Sequence, residues 1–338
     1  MANKTLGQAK ASKNDEFYTQ RGDIENELTH YAEHFRDKIV YCNCDDPKES
    51  EFWQFFVRNF TAWELKKLIA THYDPDEKNF TYKIEAEPNE RGEFSLFQEP
   101  TQTPLLCNGD FRAADCIKLL READIVVTNP PFSLWREYVT QLIYNEKKFV
   151  IIGPLSGVKY KETFPLFRDN KIWLGYGFKT GYAYFRIKRE AAVRYKHGVY
   201  NEKTGLVKFG NCCWYTNLDL PKRHDLLDLR GNYYVGNEDT YPRYTNFDGI
   251  DVANVNNLPC DYFGNMGVPI SFMEHYNPEQ FSIVGLGEGD LAKEIGITKN
   301  QRGRTDLEII DKDGNFKRPY ARIVIRRKEQ DEVSNNLQ

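Results

Sequence analysis

No Gly-x-Gly-x-x-Gly occurs anywhere in the 338 residues, which removes the usual glycine fingerprint of a nicotinamide- or flavin-binding α/β enzyme. No window holds the roughly 18 to 20 uninterrupted apolar residues of a membrane span, and the N-terminus opens polar and basic instead of with a signal-peptide hydrophobic region. Those two absences predict a cytoplasmic protein with no membrane partner. The seven cysteines form Cys42-x-Cys44, an adjacent Cys212-Cys213 pair and three singletons, neither a zinc ladder nor an even secreted framework. Reduced, mostly buried thiols and no metal are expected. A strong charge of one sign is also missing, since the formal net charge is only -4, which argues against a protein that coats nucleic acid on every face.

What charge there is clusters. Residues 151–210 hold 12 Lys and Arg against 4 Asp and Glu, whereas both flanking regions are net acidic. One basic stretch suits a protein that grips a phosphate backbone on one face. With 40% hydrophobic, 28% charged and 14% aromatic residues, the chain is globular and long enough for a large α/β domain and a second domain.

Periodicity organises the first half. Residues 1–14 are polar, with Lys4, Lys10 and Lys13, and read as a mobile arm. Ile24, Leu28, Tyr31 and Phe35 predict a helix over 23–35, and Lys38 to Cys42 a buried strand that empties into Asn43-Cys44-Asp45-Asp46-Pro47. A helix over 51–59, a strand over 67–70, a polar Glu-rich loop over 75–100, a strand at Leu105-Leu106-Cys107, a helix over 114–122, a strand at Ile125-Val126-Val127, a helix over 134–144 and a strand over 149–152 follow. This alternation predicts an α/β fold, Rossmann-like, with a doubly wound, mostly parallel sheet. After 153 the pattern gives way to short alternating segments, including 171–175 and 181–187, expected to be β-rich.

Ligands of such sheets bind at the carboxyl ends of strands, where Asp45, Asp46, Asp110 and Asn129 fall. Thr128-Asn129-Pro130-Pro131-Phe132 stands directly after a very apolar strand and before an amphipathic helix. That loop is similar to the (Asp/Asn/Ser)-Pro-Pro-(Tyr/Phe/Trp) signature of amino-methyltransferases, which implies an amine substrate such as the exocyclic amine of adenine, a poor nucleophile because its lone pair is delocalised into the ring. Two acceptors on its hydrogens, the Asn129 side-chain oxygen and the Pro130 carbonyl, would draw the nitrogen toward tetrahedral geometry and leave the lone pair facing a methyl donor. Consecutive prolines stiffen the loop, because each fixes its own φ. Phe132 offers a flat face on which a base rotated out of the duplex stacks, worth on the order of 1 to 3 kcal/mol. The alternative reading is that Asn-Pro-Pro only punctuates a strand and restarts a helix.

Asp45 and Asp46 are candidates for the amino group or the sulfonium of a methionine-type cofactor, or else an acidic turn that caps the next helix. Asp110 is a candidate acceptor for the cofactor's adenine amine, with Phe111 beside it, and Phe17-Tyr18-Thr19 precedes the first helix, where several methyltransferases begin their cofactor site.

Together with residues 14–20, 23–28, 40–47, 124–134, 171–175, 214–219 and 266–272, the loop at 129–132 makes most of the chain resemble the EcoRI-type adenine-specific DNA methyltransferases. The resemblance implies S-adenosylmethionine as methyl donor and S-adenosylhomocysteine as product, with Asn43, Asp45 and Asp46 in the loop that stands where glycines are missing. It implies duplex DNA as substrate, a monomer that bends DNA and extrudes one adenine, and a restriction-modification setting beside a companion endonuclease or an orphan role.

A mobile arm over 1–14, a cofactor-binding and catalytic domain over 15–155 and a target-recognition region over 156–338, partly packed back on the catalytic domain, are the expected divisions. Residues 176–210 depart most from the family pattern and coincide with the basic stretch, so base readout is expected there, with GAATTC as the candidate target. Lys13, Lys179, Tyr182, Tyr184, Arg186, Lys188 and Arg189 are the candidate DNA contacts, against the plainer reading of an exposed strand. Transfer is expected to be direct, without covalent enzyme intermediate or metal, because a sulfonium leaves as a neutral thioether. Methylation of cytosine, RNA adenine or a glutamine amide, and a silent DNA-binding protein of the same fold, are the rival readings.

Overall fold

Short Val- and Ile-rich runs become strands buried on both faces, and the amphipathic runs between them become helices that cover the sheet. In the computed structural model, which describes residues 17–44, 46–74, 81–92, 94–95, 100–178, 181–187, 199–234 and 236–329, the elements begin with β1 (Tyr18–Thr19), α1 (Arg21–Leu28), a 3-10 turn and α2 (Ala32–Phe35). β2 (Ile39–Cys42), α3 (Glu51–Asn59), β3 (Lys67–Thr71), β4 (Tyr82–Ala86), β5 (Thr101–Pro104), α4 (Ala114–Glu122), β6 (Ile125–Thr128), α5 (Trp135–Tyr144) and β7 (Lys148–Pro154) come next. The chain continues through α6 (Phe164–Arg168), β8 (Trp173–Leu174), β9 (Tyr182–Arg186), β10 (Tyr200–Asn201), β11 (Leu206–Gly210) and β12 (Cys212–Thr216). It ends with β13 (Ile250–Asp251), β14 (Met266–Pro269), β15 (Phe281–Leu286), α7 (Gly289–Glu294), β16 (Ile309–Ile310), β17 (Phe316–Lys317) and β18 (Arg322–Arg327). The expected arm over 1–14 lies outside the described residues. Among them, no helix is long and apolar enough to cross a membrane.

Eight strands form one sheet in the order β5-β4-β3-β2-β6-β7-β12-β8. Its four central strands, β3, β2, β6 and β7, are parallel, and the flanks are antiparallel: β4 and β5 on one side, β12 on the other. The sheet is therefore mixed, with the expected parallel arrangement confined to its centre. Ser50 caps α3 by accepting from the Phe52 amide at 3.2 Å, and Phe52, Trp53, Phe55 and Phe56 bury the apolar face of that helix.

Three local expectations are corrected. The polar window 75–100 contains β4, whose Tyr82, Ile84 and Ala86 face inward while Lys83 and Glu85 face outward, with Glu85 paired to both Lys83 and Lys67. Leu105-Leu106-Cys107 is a loop beyond β5, with Leu106 almost fully exposed. The single helix over 23–35 breaks at Thr29, whose hydroxyl bonds back to the Glu25 carbonyl at 2.8 Å as the chain tightens into a 3-10 turn.

By compactness the chain divides into two units, residues 1–157 with 174–218, and residues 158–173 with 219–338. In the first, a second sheet of order β1-β9-β11-β10 is antiparallel throughout. Period-two alternation sends Ala183, Phe185, Val207 and Phe209 inward and Tyr182, Tyr184, Arg186 and Lys208 outward. Glu27, fully buried on α1, accepts from the Tyr31 hydroxyl at 2.7 Å and from the Tyr176 and Gly177 amides at 2.9 Å each. Gly175 makes room for this contact, since a Cβ there would lie 2.0 Å from Glu27 Oε1.

The second unit is built on a sheet of order β13-β14-β18-β15. Asp251, buried, accepts from Arg322 Nε at 2.7 Å and Nη2 at 3.2 Å, and from the Tyr244 hydroxyl at 2.7 Å. Gly267 lies beneath that hydroxyl, where a Cβ would come within 1.9 Å.

Two stability measurements follow from these carboxylates. Glu27→Ala strips three donors of a charged acceptor and is expected to cost about 3 kcal/mol or more in chemical denaturation. Asp251→Ala strands the buried Arg322 charge, and a loss of about 3 to 5 kcal/mol is expected, seen as a lowered unfolding midpoint. Wild-type midpoints would show that neither carboxylate supports its unit.

Candidate active site

β6 ends in a loop held from two sides. The Thr128 hydroxyl donates to the Asn43 carbonyl, and the Tyr138 hydroxyl of α5 donates to Asn43 Oδ1, so the end of β2 is tied to both the end of β6 and the helix that follows it. Burial pushes the Tyr138 phenol well above its ordinary pKa, which keeps it the donor in that bond. Asn43, expected at the cofactor, thus spends its side-chain oxygen on the scaffold. Phe111 meets Tyr138 edge to face at 5.0 Å and extends the same packed chain.

Asn129 follows directly. Its Nδ2 donates to the carbonyl of Phe17 at 2.7 Å, and its Oδ1 is buried with no hydrogen-bond partner. The carbonyl of Phe17 only accepts, so the amide must turn its NH2 toward residue 17 and its oxygen the other way. A buried acceptor left unmade costs about 1 to 3 kcal/mol, and such atoms are retained where a ligand supplies the donor. Pro131 is committed to the turn, because its carbonyl accepts from the Leu134 amide at 3.0 Å at the entry to α5.

Phe132 is corrected as an open stacking face. Its ring is 7% exposed and packs with Phe17 at 6.1 Å, Phe185 at 6.3 Å and Phe209 at 6.3 Å. The inward residues of β9 and β11 bring Phe185 and Phe209 onto the loop. Neither was singled out from sequence, although the alternation Tyr182-Ala183-Tyr184-Phe185-Arg186 marks which residues turn inward. Phe17, Tyr18 and Thr19 are all buried at β1, and Thr19 Oγ1 is a second buried atom without a partner.

The strand-end carboxylates have unequal freedom. Asp46 Oδ1 accepts from the Lys48 amide at 3.0 Å and the Tyr82 hydroxyl at 3.4 Å, while Oδ2 lies 3.4 Å from His72 Nδ1 at the end of β3. Asp110 is gripped by Arg112 through Nε at 2.8 Å and Nη2 at 2.6 Å as well as the main-chain amide at 2.9 Å. Burial alone raises the Asp110 carboxyl, but these bonds outweigh it and hold the group below the usual carboxylate range.

Gly109 has φ +78°, and a Cβ there would lie 2.0 Å from the His72 carbonyl, so only glycine lets the two loops meet. Asp74 falls between the expected strand over 67–70 and the polar window 75–100, where no motif marks it. It is buried two residues beyond the His72 contact, and its amide donates to the Asn108 carbonyl at 3.0 Å. The crevice at the ends of β2 and β3 therefore gathers Asp46, His72, Asp74 and the 108–110 turn.

Among the expected DNA contacts, Tyr182, Tyr184 and Arg186 share the outward face of β9. Lys208, not anticipated, places its ammonium 3.5 Å from the centre of the Tyr182 ring. Arg186 is already engaged, with Glu49 Oε2 and the Glu49 carbonyl both at 3.1 Å. Lys13, Asp45, Lys179, Lys188 and Arg189 lie outside the described residues. Among those described, no group of three or more His, Cys, Asp or Glu side chains is arranged to hold a metal ion.

A family model described as adenine-specific methyltransferase EcoRI matches residues 5–328. The chain is 43% identical over 336 residues to the Type II methyltransferase M.EcoRI of Escherichia coli, a match that covers 96% of this chain and 97% of that protein. It is 34% identical over 338 residues to M.MgeORF184P of Mycoplasma genitalium, covering 96% and 99%, and 33% identical over 329 residues to M.MpnI of Mycoplasma pneumoniae, covering 96% and 98%. Matches of this extent, end to end, carry the loop at 129–132 with them: the chain belongs to the EcoRI family of adenine-specific methyltransferases.

Proposed function

We propose that the chain transfers a methyl group from S-adenosylmethionine to the exocyclic amine of an adenine extruded from duplex DNA, with Asn129 as the acceptor that shapes the amine. The observation that carries this is the Asn129 amide, anchored at Nδ2 by the Phe17 carbonyl and offering a buried, unpartnered Oδ1 at the end of β6. An amine with two hydrogens needs two acceptors. Oδ1 supplies one and the Pro130 carbonyl the other, since the Pro131 carbonyl is already bound by the Leu134 amide. With both hydrogens held, the nitrogen moves toward tetrahedral geometry and its lone pair leaves conjugation with the ring, and positioning supplies most of the rate.

The cofactor, when bound, contributes a methyl group on a sulfonium that departs as a neutral thioether. The eight-stranded sheet is assigned as the doubly wound core of a class I S-adenosylmethionine-dependent methyltransferase, with the cofactor at the ends of β2 and β3. A buried Asp74 beside a glycine-only turn suits hydroxyl recognition, and the ionised Asp110 keeps acceptor capacity beyond the bonds from Arg112. Phe111 and the buried Thr19 hydroxyl complete the candidate set, and Asn43 acts through the scaffold. Phe132 serves the loop as packing, and base stacking passes to another ring.

The outward face of β9 and β11 is proposed to meet the DNA backbone through Lys208, Tyr182 and Tyr184, and the second unit to contribute target readout. The target proposed is GAATTC, methylated by a monomer in the cytoplasm beside a companion endonuclease or alone. Long-read sequencing of DNA from cells with and without the gene reads base and motif together, and a different motif would replace that target.

Asn129→Ala is expected to lower tritiated methyl transfer to duplex DNA by at least about 10², the scale of losing one transition-state hydrogen-bond partner, while calorimetric cofactor affinity stays within a few-fold. Full activity in that variant would overturn the assignment. Transfer to RNA or protein in preference to DNA would redirect it.

Lys208→Ala is expected to weaken DNA binding uniformly across sequences and to flatten the log K against log salt plot by about one unit, as loss of one phosphate contact does. An unchanged slope would remove this face from the interface.

A further inference from the structure

A side-chain amide has two chemically opposite ends of nearly equal size, so the polarity it presents depends on what holds the other end. At Asn129 that hold is the carbonyl of Phe17, 112 residues earlier in the chain. Turned over, the same amide would point its NH2 at the substrate amine, donor against donor. A main-chain carbonyl is only as well placed as the segment that carries it, and Phe17 precedes a strand of two residues. β1 is tied to β9 at just two positions, Tyr18 opposite Arg186 and Thr19 opposite Phe185. So short an edge strand is marginal by itself.

Rings add to that grip at Phe17 itself. Phe17 lies 4.8 Å from Phe209, nearly perpendicular, and 5.8 Å from Phe185, and those two lie 5.6 Å from each other across the β9–β11 pair. Phe132, three residues past Asn129, closes the cluster on the loop side. One apolar cluster therefore clamps both ends of the Phe17–Asn129 hydrogen bond.

We propose that Phe185 and Phe209 are positioning residues for methyl transfer: by fixing Phe17 they fix its carbonyl, and with it the amide orientation that leaves Asn129 Oδ1 open to the substrate amine. This rests on Asn129 acting as the amine's acceptor. Neither ring touches substrate in this role. Loosening the cluster lets the carbonyl shift and the amide turn, which slows transfer without altering how tightly DNA or cofactor binds.

The test is single-turnover methyl transfer from tritiated S-adenosylmethionine to a duplex oligonucleotide, with cofactor and DNA affinities and the unfolding midpoint measured on the same proteins. Phe209→Leu is expected to lower the transfer rate about tenfold, below the 10² that misplacement by 1 Å costs, with both affinities within about twofold. Phe209→Tyr, which keeps the ring and its volume, is expected to keep most of the rate. Phe185→Leu carries the same expectation on the neighbouring strand and serves if Phe209→Leu does not fold.

Asn129→Asp keeps acceptors at the position but loses the N–H that the Phe17 carbonyl needs. It should be slow, and Phe209→Leu added to it should cost nothing more. A wild-type rate in both leucine variants beside an inactive Asn129→Ala overturns the positioning role and leaves the function standing. A loss confined to substrate affinity, or a full further loss in the Asn129→Asp background, also overturns it. An active Asn129→Ala removes the functional reading and this inference together.

Discussion

One hydrogen bond sets the polarity of the candidate site, that from Asn129 Nδ2 to the Phe17 carbonyl. Everything else around the loop limits where the two partners of that bond can go. Thr128 and Tyr138 pin the loop's root to Asn43, so the ends of β2 and β6 move as one piece. Four phenyl rings pin the far side. Between these restraints the only uncommitted polar atom of the Asn129 side chain is Oδ1, and it is buried. A site with one unpaid acceptor aimed into it is a site that waits for a donor.

The same arrangement explains why so much of the fold was legible in sequence and the closest neighbours of Asn129 were not. Strongly periodic helices declared themselves, α3 over Glu51–Asn59 and α4 over Ala114–Glu122 with the expected bounds, and the buried runs of β2, β6 and β7 did so by hydrophobicity alone. β4 stayed hidden because its outward Lys83 and Glu85 gave the window a polar average that masked a period of two. Asp74, in the short stretch between β3 and that window, carries no local signal of its own. Phe185 and Phe209 reach the loop through strand pairing between distant segments, and no local pattern encodes which segments pair. Asn129 is marked as a candidate by its loop alone, but its partner at residue 17 belongs to tertiary structure.

Charge tells a parallel story on the other face of the small sheet. The basic surplus of residues 151–210 pointed to this region, yet a count cannot say which cations are spent internally. Arg186 lies against Glu49 and over the Tyr18 ring, so its charge is partly neutralised at home. Among the described residues Lys208 meets the face of Tyr182 and forms no ion pair, so its charge is not neutralised there. Cation–π contact orients an ammonium without cancelling it, and an oriented charge beside a flat ring is a better phosphate and base neighbour than a salt-bridged one.

The two prolines then divide the loop's labour. Neither has an N–H, so residues 130 and 131 donate nothing to the loop between β6 and α5, and their carbonyls depend on other donors. Leu134 takes the Pro131 carbonyl as the first turn of the helix forms. What precedes it, at Pro130, has a fixed φ and follows an Asn whose side chain is anchored to a different segment of the chain. Under the proposed function, rigid backbone on one side and a tethered amide on the other would place two acceptors on the amine without either having to reorganise. On that reading the stiffness of Asn129-Pro130-Pro131 does more than reverse the chain: it holds an otherwise unreactive nitrogen in the geometry that transfer requires.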